Sequence, residues 1–209
     1  AMIEIIEKHF SHLKIQAKPF PKMTYQEAME KYGSDKPDLR NDKTDKNLLA
    51  FCWVVDFPMF EKDKESGKLN ATHHPFTRPL DEDLSLLDST PLGARSNAYD
   101  LALNGFEIGG GSLRIHERDL QQKIFELLGL EEKEIKERFG HILEAFTFGP
   151  PPHGGLALGI DRLIAVVQGE ENIREVMAFP KTGDAQDLMM GAPSAVPQHT
   201  LDDAHIKLK

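Results

Sequence analysis

An acidic and a basic side chain, Glu107 and Arg114, sit seven positions apart in a run of alternating apolar and polar residues. Three consecutive glycines, at positions 109–111, interrupt that run. Glycine in a strand loses more chain entropy than other residues and offers no side chain to pack. We therefore interpret these glycines as backbone that a ligand approaches closely, between a carboxylate and a guanidinium that could bind it.

The residues just upstream add a second carboxylate. Asn104-Gly105 is a strong hairpin signal, because both central positions of a type I′ turn need positive φ. Such a turn places Asp100 and Glu107 on the same face of the hairpin. The opposite, apolar face then carries Tyr99, Leu101, Leu103, Phe106 and Ile108.

Beyond the glycines the alternation changes phase, with Leu113 and Ile115 apolar and Arg114 polar. A one-residue bulge within the glycines would restore the apolar face and bring Arg114 to the face of Asp100 and Glu107. Paired carboxylates suit a hard divalent cation, and a guanidinium fork suits a carboxylate or phosphate. The alternative is a surface hairpin with a solvated ion pair; the glycines favour a binding site.

Arg162 begins an apolar helix directly after a glycine-bounded strand, residues 154–159. If it projects from the helix N-terminus into a cleft, it can meet an anion together with free backbone N–H groups. An Asp161–Arg162 capping pair is the structural alternative, and the residues alone weight the two about equally. The pattern is neither the GxGxxG dinucleotide fingerprint nor a Walker A loop, which disfavours an open Rossmann domain.

Two further residue types invite a metal or nucleophile interpretation. Adjacent His73 and His74 would point to opposite faces of a strand, and without a second cysteine or an HExxH pattern zinc is disfavoured. One of the two is expected to line the cleft as a hydrogen-bonding group, the alternative being an ordinary loop histidine. Cys52 lies in an apolar strand and is expected to be a buried, inert thiol.

Composition sets wider bounds. The chain of 209 residues, 40% of them hydrophobic, can bury one sizeable core. Its single cysteine excludes a disulfide framework and fits a reducing compartment, so we expect a cytoplasmic protein. No apolar stretch approaches transmembrane length, and the N-terminus lacks a secretory pattern. A net charge of −9 argues against these residues gripping nucleic acid by themselves.

Periodicity and capping signals predict the elements that must position these side chains. Together they indicate an α+β fold, in which helices flank an antiparallel sheet platform. One face of that platform suits a polyanion with a divalent cation and a small carboxylate, so nucleotide-dependent activation of an acid fits it. The predicted elements are an opening amphipathic helix through Ile6, a helix from the Thr24–Glu27 capping box to Gly33, a buried strand at 51–58, two helices through Ile124 and Ile142, and a buried helix at 160–167.

Several of these segments resemble a known family. Residues 154–163 are similar to motif 3 of the class II aminoacyl-tRNA synthetases. Others are similar to segments of the bacterial-type aspartyl-tRNA synthetases, and the resemblance spans nearly the whole chain. Those segments are 32–40, 53–58, 73–76, 109–116 and 178–182.

The resemblance implies how the nucleotide end of the cleft would work. Arg162 would hold the ATP γ-phosphate, and Asp100 and Glu107 would position Mg²⁺ on the phosphates. Gly155 and Gly159 would let adenine lie against bare backbone. The cosubstrate implied is ATP, with Mg²⁺ as the cation.

The amino-acid end follows from the same resemblance. Arg114 would bind the side-chain carboxylate of L-aspartate, and His73 and His74 would line the amino-acid and phosphate pocket. The implied reaction is formation of aspartyl-adenylate, followed by transfer to the 3′ end of tRNA. Arg114 agrees with this substrate, because a guanidinium fork matches a carboxylate and leaves the amide of asparagine poorly matched.

Departures from the family pattern are equally plain. We find no segment like the anticodon-binding β-barrel, like motif 1 of the dimer interface, or like motif 2 with its ATP-binding arginine. Where bacterial members insert a domain, only residues 41–47 intervene. We therefore expect residues 1–209 to be the C-terminal part of a catalytic domain, incomplete in its sheet, with the insertion deleted or unobserved near 41–47. The parent enzyme is expected to be a homodimer that grips tRNA mainly elsewhere.

Two other interpretations remain open at this point. One is a non-catalytic synthetase-like module that binds aspartate, an adenylate or a partner protein. The other is a related ATP-dependent ligase that makes a different acyl-adenylate, for which Arg114 argues an acidic substrate. A free sheet edge where motif 2 would pair also predicts self-association of the chain.

Overall fold

The structure, a computed structural model, describes residues 1–207 of the chain. None of the helices in that range is long and apolar enough to cross a membrane. The strands are β1 (Lys14–Ile15), β2 (Lys22–Thr24), β3 (Leu48–Leu49), β4 (Phe51–Pro58), β5 (Phe60–Lys62), β6 (Leu69–Ala71), β7 (Arg95–Leu103), β8 (Phe106–Leu113) and β9 (Gly154–Leu158). The helices are α1 (Met2–His9), α2 (Tyr25–Tyr32), α3 (Leu86–Ser89), α4 (Arg118–Leu127), α5 (Glu132–Phe146), α6 (Ile160–Gln168) and α7 (Gln198–Asp203), with 3₁₀ turns at Asp81–Asp83, Pro91–Gly93 and Ile173–Glu175.

The central sheet has five strands in the order β2-β4-β7-β8-β9. In the last four of these strands each is antiparallel to its neighbour, as the sequence predicts. The sheet is mixed at one edge, where β2 pairs with β4 in parallel. The reason is the connection, because the chain passes from β2 through helix α2 before it returns in β4, and parallel strands need such a crossover.

Helices cover the two faces of the sheet unequally. On one face α1 and α6 bury the apolar side of the hairpin, with Leu101, Ile108 and Leu163 in a single core cluster. On the other face α2 packs through Ala28 against Val54. Beyond α2 that second face stays open, and the open stretch is where the cleft described below lies. Helices α4 and α5 pack on each other beside it, sharing a smaller core.

The central hairpin has the turn that the sequence predicts. Asn104 and Gly105 both have positive φ, 51° and 90°. The predicted bulge exists, but the prediction that it falls within the glycines is wrong. Ala102 pairs with Glu107 and Leu101 pairs with Gly109, so the extra residue is Ile108.

The position of the bulge has a packing reason. Ile108 is 1% exposed and belongs to the core under α1 and α6, so the bulge turns a large apolar side chain inward. Each glycine then keeps a partner on β7, and Gly110 stands opposite Asp100. Phe106, expected on the buried face, lies next to the hairpin turn and is 40% exposed.

Local signals elsewhere were reliable. The Thr24 hydroxyl accepts a hydrogen bond from the backbone N–H of Glu27, and the Glu27 carboxylate accepts one from the N–H of Thr24. Gly33 ends the helix in the left-handed region at φ 65°. These contacts complete the capping box and the glycine stop that the sequence predicts for α2.

The polar segment 41–47 leaves and rejoins the fold beside strand β1. At its start, the Gln16 side chain donates to the carbonyl of Leu39 and accepts from the N–H of Asn41, each at 2.8 Å. At its end, the N–H of Lys14 donates to the carbonyl of Asn47, also at 2.8 Å. Both ends of the segment are therefore held by the same short strand.

Candidate functional site

A cleft of about 370 Å³ opens on the uncovered face of the sheet. It brings together five of the side chains singled out in the sequence, which reach it from β7, from β8 and the residues just after it, and from the segment before Thr77. Backbone and small side chains form the floor between them. The lining residues are Asp35, His73, His74, Thr77, Ala98, Asp100, Glu107, Gly110, Gly111, Ser112, Arg114 and Ala157.

The acidic end of the cleft is built around Gly110. A Cβ atom on Gly110 would lie 2.5 Å from Oδ1 of Asp100 and 3.5 Å from Oε1 of Glu107, so the two carboxylates converge over this bare residue. The pKa of the Asp100 carboxyl is raised to about 7, chiefly by burial and then by the negative charge of Glu107. A cation placed between the two would relieve both effects.

Arg162 closes this end from α6. Its Nη1 donates to the backbone carbonyl of Glu107 at 3.0 Å and lies 3.4 Å from that residue's Oε2. The alternative of an Asp161–Arg162 capping pair is not formed, because Gly159 occupies the N-cap of α6 without a side-chain cap. Arg162 instead remains half-exposed beside the carboxylate pair, where an anion can reach it.

At the other end of the cleft, Arg114 meets a histidine. Nη1 of Arg114 contacts both ring nitrogens of His74, Nδ1 at 3.0 Å and Nε2 more closely. Nδ1 also accepts a hydrogen bond from the backbone N–H of Phe76 at 3.2 Å, so in the neutral ring Nε2 carries the proton. Arg114 and the Nε2–H of His74 thus lie side by side in the cleft lining, where both could donate to an anion.

The environment keeps both histidines neutral. Burial lowers the pKa of His74, and the neighbouring Arg114 charge lowers it further. Burial also lowers the pKa of His73, although Glu107 and Asp35 oppose this. The His73 ring packs edge-on against Phe57, with ring centroids 5.0 Å apart.

The prediction that adjacent histidines diverge to opposite faces is wrong. His73 and His74 lie in an irregular segment after β6, so the alternation of a strand does not apply, and both line the cleft. Zinc was disfavoured from the sequence. Within residues 1–207, no group of three or more His, Cys, Asp or Glu side chains is placed to hold a metal ion.

Two of the three glycines, Gly109 and Gly111, also serve the protein's own packing, a role that the sequence interpretation did not include. A Cβ on Gly111 would come within 1.9 Å of the Gly155 carbonyl oxygen, and one on Gly109 within 3.0 Å of the Ala157 carbonyl oxygen. These glycines let β9 lie close against β8. Gly155 differs, because a Cβ there would have nothing within 4 Å.

Like Arg162, two other predicted residues lie beside the cleft and not in its lining. Gly155 is exposed on strand β9, and Gly159 follows that strand with its N–H donating to the Ile108 carbonyl at 2.8 Å. Cys52 is buried, as predicted, and burial raises the pKa of its thiol to about 11. It takes no part in the cleft.

Sequence reasoning missed three polar residues of the cleft. Asp35 lies in a charged loop that reads as a solvated turn, and only the tertiary fold brings it near Asp100. Thr77 is 2% exposed, with its hydroxyl 3.3 Å from Nδ1 of His74. Ser112 is 3% exposed and its buried hydroxyl has no partner among the described residues. The sequence did carry a signal for Ser112, because it is one of the polar residues that alternate with apolar ones after the glycines of β8.

Comparison with known proteins identifies the class to which this fold and cleft belong. Residues 1–183 match the family described as tRNA synthetases class II (D, K and N). The chain therefore belongs to the class II tRNA synthetases. A solved structure, the aspartyl tRNA synthetase from Entamoeba histolytica, has a TM-score of 0.58 and 25% identity, covering 88% of this chain and 36% of its own.

Within the family, the resemblance is to aspartate ligases. The aspartate–tRNA(Asp/Asn) ligase of Dehalococcoides mccartyi (strain ATCC BAA-2266) is 54% identical over 168 residues, which are 80% of this chain. The aspartate–tRNA ligase of Bacillus licheniformis is 53% identical over 165 residues, or 79% of this chain. In both cases the chain spans only about 28% of the relative's length.

Proposed function

We propose that this chain supplies the amino-acid and nucleotide cleft of an aspartate–tRNA ligase. In the proposed reaction, an α-carboxylate oxygen of L-aspartate attacks the α-phosphorus of ATP, and the bond to pyrophosphate breaks. The tRNA 3′-terminal hydroxyl then attacks the acyl carbon and releases AMP. The names of the relatives support this proposal, and the cleft supplies groups of the right charge at both ends.

The observation that carries the proposal is the meeting of Arg114 and His74. The two side chains contact each other in the cleft lining, so one ligand group can reach both. A carboxylate oxygen there would accept from both, which makes the aspartate side chain the ligand we assign to this end. Asparagine would place its amide NH₂, itself a hydrogen-bond donor, against one of those donors. Two buried donors that face each other are both left without an acceptor, which lowers the affinity for asparagine.

The opposite end suits phosphates. Arg162 reaches past Glu107 toward solvent and would hold a terminal phosphate of ATP. Asp100 and Glu107 fit a divalent cation, because they converge over Gly110, where burial and then the charge of Glu107 raise the pKa of Asp100 to about 7. Mg²⁺ bound there would neutralise phosphate charge; phosphate oxygens would complete its coordination, as is usual for this ion.

The remaining polar residue of the cleft, Asp35, bears on how aspartate is oriented. Its charge adds to the burial and the Glu107 charge that raise the pKa of Asp100, and it opposes the burial that lowers the pKa of His73. An α-ammonium group is the part of the amino acid that would pair with it. Since net charge −9 disfavours nucleic-acid binding by these residues alone, we assign the grip on tRNA mainly to other parts of the enzyme, which we take to be a homodimer.

The proposal is tested by calorimetric titration with non-hydrolysable aspartyl- and asparaginyl-adenylate analogues, with and without Mg²⁺. We expect Mg²⁺-sensitive binding of the aspartyl analogue and weak binding of the asparaginyl one. Arg114→Ala should weaken aspartyl binding about 10²-fold, the scale for removing one partner of a buried charge pair. Arg138→Ala, at an exposed arginine of α5, is the matched control and should change nothing. Equal binding of both analogues would refute the assignment of Arg114.

Catalysis by the chain alone is a separate expectation. Because no motif 2 counterpart is found in it, we expect aspartate-dependent pyrophosphate exchange far below the 1–10³ s⁻¹ of ordinary enzymes. An ordinary rate would show that motif 2 is not needed. Absence of analogue binding by a folded protein would instead favour a non-catalytic module that recognises a partner protein.

A further inference from the structure

Tyr99 makes a contact that skips a strand. It lies on β7, yet its hydroxyl donates to the backbone carbonyl of Gly155 on β9 at 3.0 Å. The strand between them, β8, offers no obstacle, because Gly111 stands opposite Tyr99 and has no side chain. A Cβ on Gly111 would come within 2.9 Å of the Tyr99 ring. The ring is held in turn by Trp53, edge-on, with centroids 6.3 Å apart.

The strand that receives this bond is held along its length by β8, on one side only. β9 is the edge of the sheet, pairs only with β8 among the described strands, and is exposed along all of its residues. It nevertheless leads directly into Gly159 and α6, which carries Arg162. A shift of β9 relative to β8 would therefore move both the exposed backbone at Gly155 and the start of α6, where the Arg162 guanidinium lies.

We propose that Tyr99 is a positioning residue for the nucleotide end of the cleft, holding the Gly155 carbonyl so that β9 presents a fixed surface to the adenylate. Tyr99 lies on the face opposite Asp100 and does not itself line the cleft; it meets the lining only at the backbone of Gly111. It acts through β9 alone. This inference rests on the proposed function, because it assigns the adenylate to that strand.

Tyr99→Phe removes the hydroxyl and keeps the ring, and Tyr25→Phe is the control, since Tyr25 packs at a tilt against Phe57, away from β9. Hydrogen exchange of the 209-residue chain without any ligand tests the anchoring. In Tyr99→Phe we expect peptides covering Gly154–Leu158 to exchange about fivefold faster, the scale of one net hydrogen bond. Peptides of β4 should be unchanged, and Tyr25→Phe should match the wild type throughout.

Binding then tests the positioning. Tyr99→Phe should weaken a non-hydrolysable aspartyl-adenylate analogue about fivefold and leave the affinity for free aspartate unchanged. Unchanged exchange in β9, or equal loss for both ligands, would overturn the inference. A wild-type chain that binds neither ligand would refute the proposed function instead, and the exchange measurement would still decide whether Tyr99 anchors β9.

Discussion

Replacement by alanine should affect stability differently at two glycines on neighbouring strands, Gly111 and Gly155. In Gly111→Ala the new Cβ would sit 1.9 Å from the Gly155 carbonyl oxygen. An ordinary C···O contact is about 3.3 Å, so β9 must retreat by roughly 1.4 Å. Overpacking of this kind costs about 1–3 kcal/mol, and the lost Tyr99 hydrogen bond adds about 1 kcal/mol. We expect the free energy of unfolding to fall by about 2–4 kcal/mol.

Gly155→Ala provides the contrast, because its Cβ would meet nothing within 4 Å. Replacing a strand glycine by alanine should leave stability unchanged or raise it by about 0.5 kcal/mol. The new methyl group would nevertheless occupy the surface assigned to the adenylate, so we expect affinity for the aspartyl-adenylate analogue to fall at least about tenfold, a change of about 1.4 kcal/mol.

Urea denaturation followed by fluorescence of Trp53 measures the first effect, and calorimetry measures the second. Stability of Gly111→Ala within 0.5 kcal/mol of the wild type, about the usual range for surface substitutions, would show that β9 does not lie as close as described. Normal binding by a stable Gly155→Ala would show that the adenylate lies elsewhere. The two outcomes are independent, so each part of the reasoning fails separately.

Three further predictions follow from the charges and the sheet edge. Asp83→Asn should lower the free energy of unfolding by about 2 kcal/mol at pH 7, because Asp83 is 6% exposed and accepts three hydrogen bonds from Arg95. These bonds lower the pKa of Asp83. The difference in stability from the wild type, measured by chemical denaturation, should therefore disappear as the pH falls below 3.8. Since the pKa of Asp100 is about 7, Mg²⁺ must displace a proton at lower pH, and calorimetric Mg²⁺ affinity should rise through pH 7 in the wild type but stay flat in Asp100→Asn. The free edge of β9 should make the chain self-associate, and a charge there, Leu156→Lys, should shift sedimentation toward monomer; a monomeric wild type would contradict this.

Local chemistry was readable from the sequence. The Asn104-Gly105 turn, the Thr24–Glu27 cap and the strand at 51–58 each depend on a few neighbouring residues, and the structure confirms all three. The face shared by Asp100 and Glu107 followed from the same turn, because register in a hairpin is fixed by its loop.

What the sequence could not supply depends on residues far apart along the chain. The bulge at Ile108 is set by the core beneath it, and the parallel pairing of β2 by the path of α2. Asp35 reaches the cleft only because its loop lies near Asp100 on strand β7, which is far away along the chain. The packing role of Gly109 and Gly111 was missed for the same reason, since nothing in the sequence of β8 alone reveals how close β9 lies.

The way residues 41–47 leave and rejoin the fold has a consequence for how this architecture can change. Gln16 holds the start of the segment and Lys14 its end, so the two ends stand side by side at the surface. Lengthening a loop whose ends are already pinned costs only about 0.6 kcal/mol for each doubling of its length. The cleft lies on other elements. We therefore expect this junction to accept the insertion or removal of a whole domain without displacing the cleft.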